Sequence, residues 1–255
     1  MFLTLKKWFA PTPKLATRTI PRGQRVYAVG DVHGRVDLFH DLVDKIEADD
    51  AARGAANTTV ILLGDLVDRG PDSAGVLDAA IELGTRRRVR TLCGNHEEMF
   101  LKSLESDGVL RDFLRRGGRE TVLSYPIDED TYNDLDFEQL RLELHRIVPE
   151  RHLQFLRGLE DWIIVGDYLF VHAGIQPGVA IEDQSTQDLR WIREPFLSAP
   201  SSSDYCVVHG HTISEDPEER PGRIGVDTGA YMSGRLTAVG LEGDERWFLS
   251  SSSAT

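Results

Sequence analysis

Five times along the chain an apolar run ends and a residue able to bind a metal ion follows at once. Residues 26–29 lead into Gly30-Asp31-Val32-His33-Gly34, and residues 60–63 into Gly64-Asp65-Leu66-Val67-Asp68-Arg69-Gly70. Residues 89–92 lead, past Cys93, into Gly94-Asn95-His96-Glu97. Residues 168–171 lead into His172-Ala173-Gly174, and residues 205–208 into His209-Gly210-His211-Thr212. Carboxylate, imidazole and carboxamide oxygen together suit intermediate divalent ions such as Mn, Fe, Co, Zn or Ni. The set contains no thiolate, which argues against a structural zinc. Six ligands, Asp31, His33, Asp65, Asn95, His172 and His211, exceed what one catalytic ion with open water positions needs. Two ions sharing a bridging carboxylate, ~3.5–4 Å apart, fit better. Asp31 and His33 are two residues apart, so in extended backbone they face one side and can reach one ion. Asn95 and His96 are adjacent and face opposite ways, which leaves His96 free for proton transfer. Asp68, three residues after Asp65, is placed to orient an imidazole.

Such a constellation needs strands that end together. The first two-thirds of the chain alternates strand patterns (26–29, 60–63, 89–92) with helical ones (36–48, 73–83, 97–104), which implies βαβ units and a buried sheet. Helical patterns follow over 109–123 and 137–159. Six short apolar runs, at 162–165, 168–171, 205–208, 223–226, 236–241 and 246–249, predict hairpins and a second, mixed sheet. In α/β sheets ligands bind beyond the carboxyl ends of strands, where all five motifs fall. The fold class is therefore α/β, with two sheets and helices outside them. One catalytic domain over 23–249 is expected, with a helical insert at about 98–160. A Pro-containing arm is expected over 1–22 and a frayed tail over 250–255.

Composition narrows the partners. The 255 residues carry 29 basic and 42 acidic side chains, a formal net charge of −13. That surplus excludes a general nucleic-acid binder, because phosphate backbones are held through clustered cations, and docking on an anionic membrane. No apolar run approaches the ~20 residues of a membrane span. Two cysteines, Cys93 and Cys206, form no disulfide framework and fit a reducing compartment, so a cytoplasmic location is expected. Charge is uneven: residues 84–119 hold nine basic and five acidic side chains, and 128–138 hold six acidic and no basic ones. Both read as solvated faces.

The motifs Asp-x-His-Gly, Gly-Asp-x-Val-Asp-Arg-Gly and Gly-Asn-His-Glu, followed by His-Ala-Gly and Gly-His-Thr, resemble the phosphoprotein phosphatase group of calcineurin-like metallophosphoesterases. The short form is similar to the bacteriophage lambda protein phosphatase and its bacterial relatives, over residues 25–249. The resemblance implies a β-sandwich flanked by helices. It implies that Asp31, His33 and Asp65 hold one metal, probed first as manganese, and that Asp65, Asn95, His172 and His211 hold the other. His96 resembles the family's general acid, steadied by Asp68. Arg69 and the Arg193 of Trp191-Ile192-Arg193 resemble arginines that grip phosphoryl oxygens, with Asn95 beside them. The segment Gly117-Gly118-Arg119-Glu120-Thr121 resembles an insert common in bacterial members. Of the neighbouring residues, His209, two before His211, is left as a bystander, Arg190 as a surface arginine and Asp227 as structural.

A mechanism follows from these parts. A water bridging two cations exists as hydroxide near neutral pH and attacks phosphorus in line, while the cations and arginines balance charge on the phosphoryl oxygens. The expected activity is that of a serine/threonine protein phosphatase, extending to phosphotyrosine, on a phosphorylated protein or peptide. The alternative is a symmetrical diadenosine-tetraphosphate hydrolase acting on a small nucleotide. A third reading, a protein that binds phosphorylated partners without turnover, has no use for a proton donor. The oligomeric state carries no signal in the sequence.

Overall fold

The computed structural model describes residues 18–200 and 203–252. Alternating apolar residues build a five-stranded sheet from β1 (Gln24–Val29), β2 (Asn57–Leu62), β3 (Arg88–Thr91), β9 (Arg235–Glu242) and β10 (Glu245–Ser252), in the order β10-β9-β1-β2-β3. The second sheet has the order β4-β5-β6-β8-β7, from β4 (Trp162–Val165), β5 (Tyr168–Val171), β6 (Cys206–His209), β7 (Glu218–Arg220) and β8 (Arg223–Gly225). The period of two divides the first sheet cleanly. Tyr27, Val29, Val60 and Leu62 face the helices, while Val26, Ala28, Ile61 and Leu63 pack against Ile163, Phe170, Val208 and Ile224 of the second sheet. The outer face of the second sheet, Leu169, Val171 and Val207, is covered by Leu189, Ile192 and Phe196. The result is a two-sheet sandwich flanked by helices.

Strands β1, β2 and β3 run parallel, in the registers Val29↔Leu62 and Leu62↔Thr91. Strands β5, β6 and β8 also run parallel. A bridge from Leu92 to Glu160 ties the sheets together. The carboxyl ends of five strands therefore open at one end of the sandwich. Helices α1 (Val36–Arg53) and α2 (Ser73–Arg86) cross between the parallel strands.

Between β3 and β4 lie α3 (Asn95–Ser103), α4 (Asp107–Phe113), α5 (Arg119–Leu123), α6 (Glu129–Asp134), α7 (Phe137–Ile147) and α8 (Glu150–Arg157). The helix expected over 109–123 is interrupted by a kink, Leu114–Gly118, in which Gly117 takes φ 107°. The one expected over 137–159 breaks at Pro149, which cannot donate a backbone hydrogen bond. The short elements α6, β7, α9 (Thr186–Trp191) and α10 (Ala230–Ser233) escape periodicity because none spans two helical turns or several alternations.

Most of the expected arm, residues 1–17, lies outside the described residues, as do 253–255 of the tail. Residues 18–22 are docked: Thr19 N donates to Asp167 Oδ2 at 2.8 Å, and Ile20, buried, donates through its N–H to Gly243 O at 2.8 Å. The tail expected to fray from Ser250 instead completes β10 through Ser252. Its backbone pairs with Arg235–Thr237, and Thr237 Oγ1 meets Ser250 Oγ at 2.9 Å. Among the described residues no helix is long and apolar enough to cross a membrane. Cys93 and Cys206 are both buried and unpaired.

Candidate active site

The strand ends deliver their polar residues by bending the backbone sharply. Among the described residues, five that are not glycine take positive φ: His33 (46°), Asp65 (49°), Asp68 (73°), Arg69 (71°) and His211 (61°). All five are residues expected at the site. Such backbone costs ~1–3 kcal/mol per residue and persists only where surroundings enforce it. Gly210 shows the crowding directly, since a Cβ there would lie 2.1 Å from Asp31 Oδ1.

Asp65 is the centre. Its Oδ2 has His172 Nε2 at 3.4 Å, His33 Nε2 at 3.6 Å and His96 Nε2 at 3.9 Å. Two groups of ligand atoms lie within 4.8 Å of one another, His33–Asp65–His96 and Asp65–His172–His211. Asn95 Oδ1 lies 3.1 Å from His172 Nε2. His33 and His172 each commit Nδ1–H to a carbonyl, Val67 O and Leu63 O, both at 2.8 Å, which turns their Nε2 lone pairs inward. Metal-ligating histidines are oriented in this way. His211 Nε2 is buried with no hydrogen-bond partner. An orphaned imidazole nitrogen beside two others and a shared carboxylate fits a divalent cation.

Asp31 joins neither group. Its carboxylate accepts from His211 N at 3.0 and 3.2 Å and lies close to Asp227, a buried carboxylate whose Oδ1 accepts from Gly229 N. Burial raises Asp31 well above the usual carboxylate range, and Asp227 adds to it. Asp65 behaves oppositely: burial would raise it, but His172, His96 and His33 hold it well below. His172 is pushed up to about 10, because Asp65 outweighs burial. His33 and His211 are both held down to about 3 by burial. The proton that His172 holds sits where a cation would displace it.

His96 takes the other role open to an imidazole. Its Nδ1–H donates to Asp68 Oδ2 at 2.5 Å, and Arg69 Nη2 reaches its Nε2 at 3.0 Å. Burial lowers His96, but Asp65 and Asp68 together raise it above the ordinary value. Asp68 is fully buried and fastened from three sides: its N–H donates to Ser73 Oγ and Thr121 Oγ1, and Thr121 Oγ1 donates to its Oδ1 at 2.5 Å.

Above this floor lies a cleft of about 580 Å³ lined by Asp65, Arg69, Asn95, His96, Arg116, Trp191, Arg193, His211 and Tyr231, among others. Arg193 enters it, with Nη2 at 3.4 Å from His211 O, whereas Arg190 is paired with Asp161 at 2.7 Å. Tyr231 stands edge-on to His33, with centroids 5.4 Å apart, and Arg69 lies 4.9 Å over its ring. His209 turns away, packing against Phe196 at 5.1 Å. Glu97 is a residue to which the motif alone gave no role. Its carboxylate accepts from the N–H groups of Asp65 (2.8 Å), Leu66 (2.7 Å), Val67 (3.3 Å) and Gly94 (2.9 Å). Its place three residues after Gly94 was the available signal, since that is where a capping-box carboxylate sits.

Residues 24–232 match the family model for calcineurin-like phosphoesterases. The chain belongs to that family. As a metallophosphoesterase it is a metal-dependent phosphoric ester hydrolase. It is 26% identical to an asymmetrical bis(5'-nucleosyl)-tetraphosphatase of Anoxybacillus flavithermus, over 83% of this chain and 88% of that protein. It is 32% identical to a symmetrical bis(5'-nucleosyl)-tetraphosphatase of an Acidovorax species over 62% of this chain, and 31% identical to a zinc-dependent endopolyphosphatase of Saccharomyces cerevisiae over 59%. The matched region spans about half of each of those two proteins, 47%. In fold, the metallophosphoesterase resembles a cold-active protein-tyrosine phosphatase of a Shewanella species, with TM-score 0.56 and 20% identity over 91% of this chain and 83% of that one.

Proposed function

We propose that the protein hydrolyses a phosphoric anhydride bond of a dinucleoside tetraphosphate. The observation that carries this reading is the likeness to a tetraphosphatase over 83% of this chain and 88% of the relative. It reverses the order suggested by the motifs, which put phosphorylated proteins first; the likeness to a protein phosphatase is one of fold. The reading treats residues 23–249 as one catalytic domain, with the helical insert as a wall of the cleft, working in the cytoplasm.

Asp31, His33, Asp65, Asn95, His172 and His211 would hold two divalent cations, with manganese as the first choice and Fe, Zn, Co and Ni admitted by the same donors. Bound there, the cations supply an activated water and neutralise charge at phosphorus. Arg69 and Arg193 grip the phosphoryl oxygens from the cleft walls, where preorganised cations act most strongly on developing charge. His96 hands the proton on Nε2 to the departing oxygen, and Asp68 fixes its ring.

The His96–Asp68 pair also favours a second reading within the lambda-type protein phosphatases. An alkoxide leaving from serine or threonine is a strong base and needs a proton donor more than a departing nucleotide does. Parallel turnover with manganese on diadenosine tetraphosphate, a phosphoserine peptide and a phosphotyrosine peptide separates the two. The highest kcat/KM is expected on the dinucleotide, with ADP alone marking symmetrical cleavage and ATP plus AMP asymmetrical cleavage. A tenfold preference for either peptide, or turnover of none, overturns the proposal.

A further inference from the structure

The helical insert brings into the cleft a third guanidinium beyond the two assigned to the scissile phosphoryl group. Most of the basic stretch 84–119 is tied to carboxylates. Arg86 and Arg87 pair with Glu47, Arg90 with Glu160, Lys102 with Glu98, Arg115 with Asp112 and Arg119 with Glu129. Arg116 has no ion pair and no hydrogen bond among the described residues, and it lines the cleft with Arg69 and Arg193. In a chain of net charge −13, a guanidinium left without a carboxylate beside two others is a place kept for an anion.

The backbone fixes that place. Arg116 stands in the kink Leu114–Gly118, where Gly117 leaves helical backbone at φ 107°. The next residue, Gly117, accepts through its oxygen from Arg69 N at 2.9 Å. A Cβ on Gly117 would meet Arg69 Cγ at 2.7 Å, and φ 107° already disfavours any other residue there. Four residues further on, Thr121 bonds to Asp68. The turn is thus clamped to the loop that carries Arg69, and the backbone of Arg116 keeps a set position relative to it, with its side chain exposed towards the cleft.

We propose that Arg116 forms a subsite for the phosphoryl groups that follow the scissile one in a polyphosphate chain, and so sets the preference for a chain over a single phosphoryl group. A lone phosphoryl group has three non-bridging oxygens, already shared among the metal site, Arg69 and Arg193. Further phosphoryl groups bring fresh anionic oxygens, which guanidinium binds with charge-assisted, often bidentate hydrogen bonds. This inference rests on the anhydride reading, but its test does not need that substrate. Inorganic triphosphate and orthophosphate are compared as competitive inhibitors of p-nitrophenyl phosphate turnover by the manganese-loaded protein. The wild type is expected to bind triphosphate the more tightly. Arg116→Gln should shrink that preference about ten- to hundredfold, the worth of a hydrogen bond to a charged group. Arg115→Gln removes the same charge one residue away, from the side chain paired with Asp112, and should leave the preference within about twofold. Equal inhibition of the wild type by both anions, an undiminished preference in Arg116→Gln, or equal losses in both variants would overturn the subsite. Failure of the dinucleotide reading appears instead in the wild-type substrate panel, so the two outcomes are distinguishable.

Discussion

His96 is pulled in two directions. Burial and Arg69 oppose its proton; Asp65 and the hydrogen bond from Nδ1 to Asp68 favour it and win. The balance favours the protonated imidazole more than in an ordinary histidine. His96→Asn should lower kcat on a phosphoserine peptide by ~10²–10⁴, the usual worth of general acid catalysis. On diadenosine tetraphosphate the loss should be much smaller, because the departing nucleotide is a weak base. Steady-state kcat on the two substrates checks this, and equal losses on both would remove the proton-donor role. At this scale the sequence announces which side chains converge, because each polar residue follows an apolar strand directly. It does not announce the left-handed backbone at Asp65 or Arg69, nor that Asp31 turns towards His211 N and Asp227. Those depend on contacts between segments far apart in the chain.

Among the elements, α3 is more than a spacer. From its first turn, Glu97 gathers four N–H groups belonging to the loops after β2 and β3. A carboxylate offers two acceptor oxygens and no donor. Glu97→Gln replaces one of them with an NH₂ facing N–H groups. It should cost about 1–3 kcal/mol, the penalty for leaving buried donors unsatisfied, and should lower the number of cations retained per chain. Urea unfolding of the metal-free variant and elemental analysis measure both; a loss under about 0.5 kcal/mol would show that the carboxylate is not what fastens the loops. Strands such as β1 and β2 were legible from alternation, and α2 from its periodic apolar face. The kink at Leu114–Gly118 was not, because Gly117 is shaped by Arg69 lying against it. Nor was β7, whose Glu218–Arg220 carries no apolar signal at all.

Over the whole molecule, most basic side chains are paired with carboxylates, while Arg69, Arg116 and Arg193 line the cleft without an ion pair among the described residues. The candidate ligand donors come from both sheets: Asp65 and Asn95 follow β2 and β3, while His172 and His211 follow β5 and β6. Asp31 and His211, joined through a backbone N–H, stand 180 residues apart in the chain. Cations held by donors drawn from both sheets would close loops spanning much of the polypeptide. Such closure is won only after both sheets exist, and a transition state that lacks it gains nothing from the ion. Manganese at about 100 times its dissociation constant should therefore slow unfolding by ~100-fold for each ion bound, the full linkage effect, while leaving the refolding rate as it is in chelator. Stopped-flow refolding and unfolding across urea concentrations measures the two limbs; faster folding with manganese would contradict it. On that outcome metallation is the last act of assembly rather than its seed. A chain interrupted before His211 would fall short of the full ligand set, so capture of the cation reports that the last third of the polypeptide has arrived.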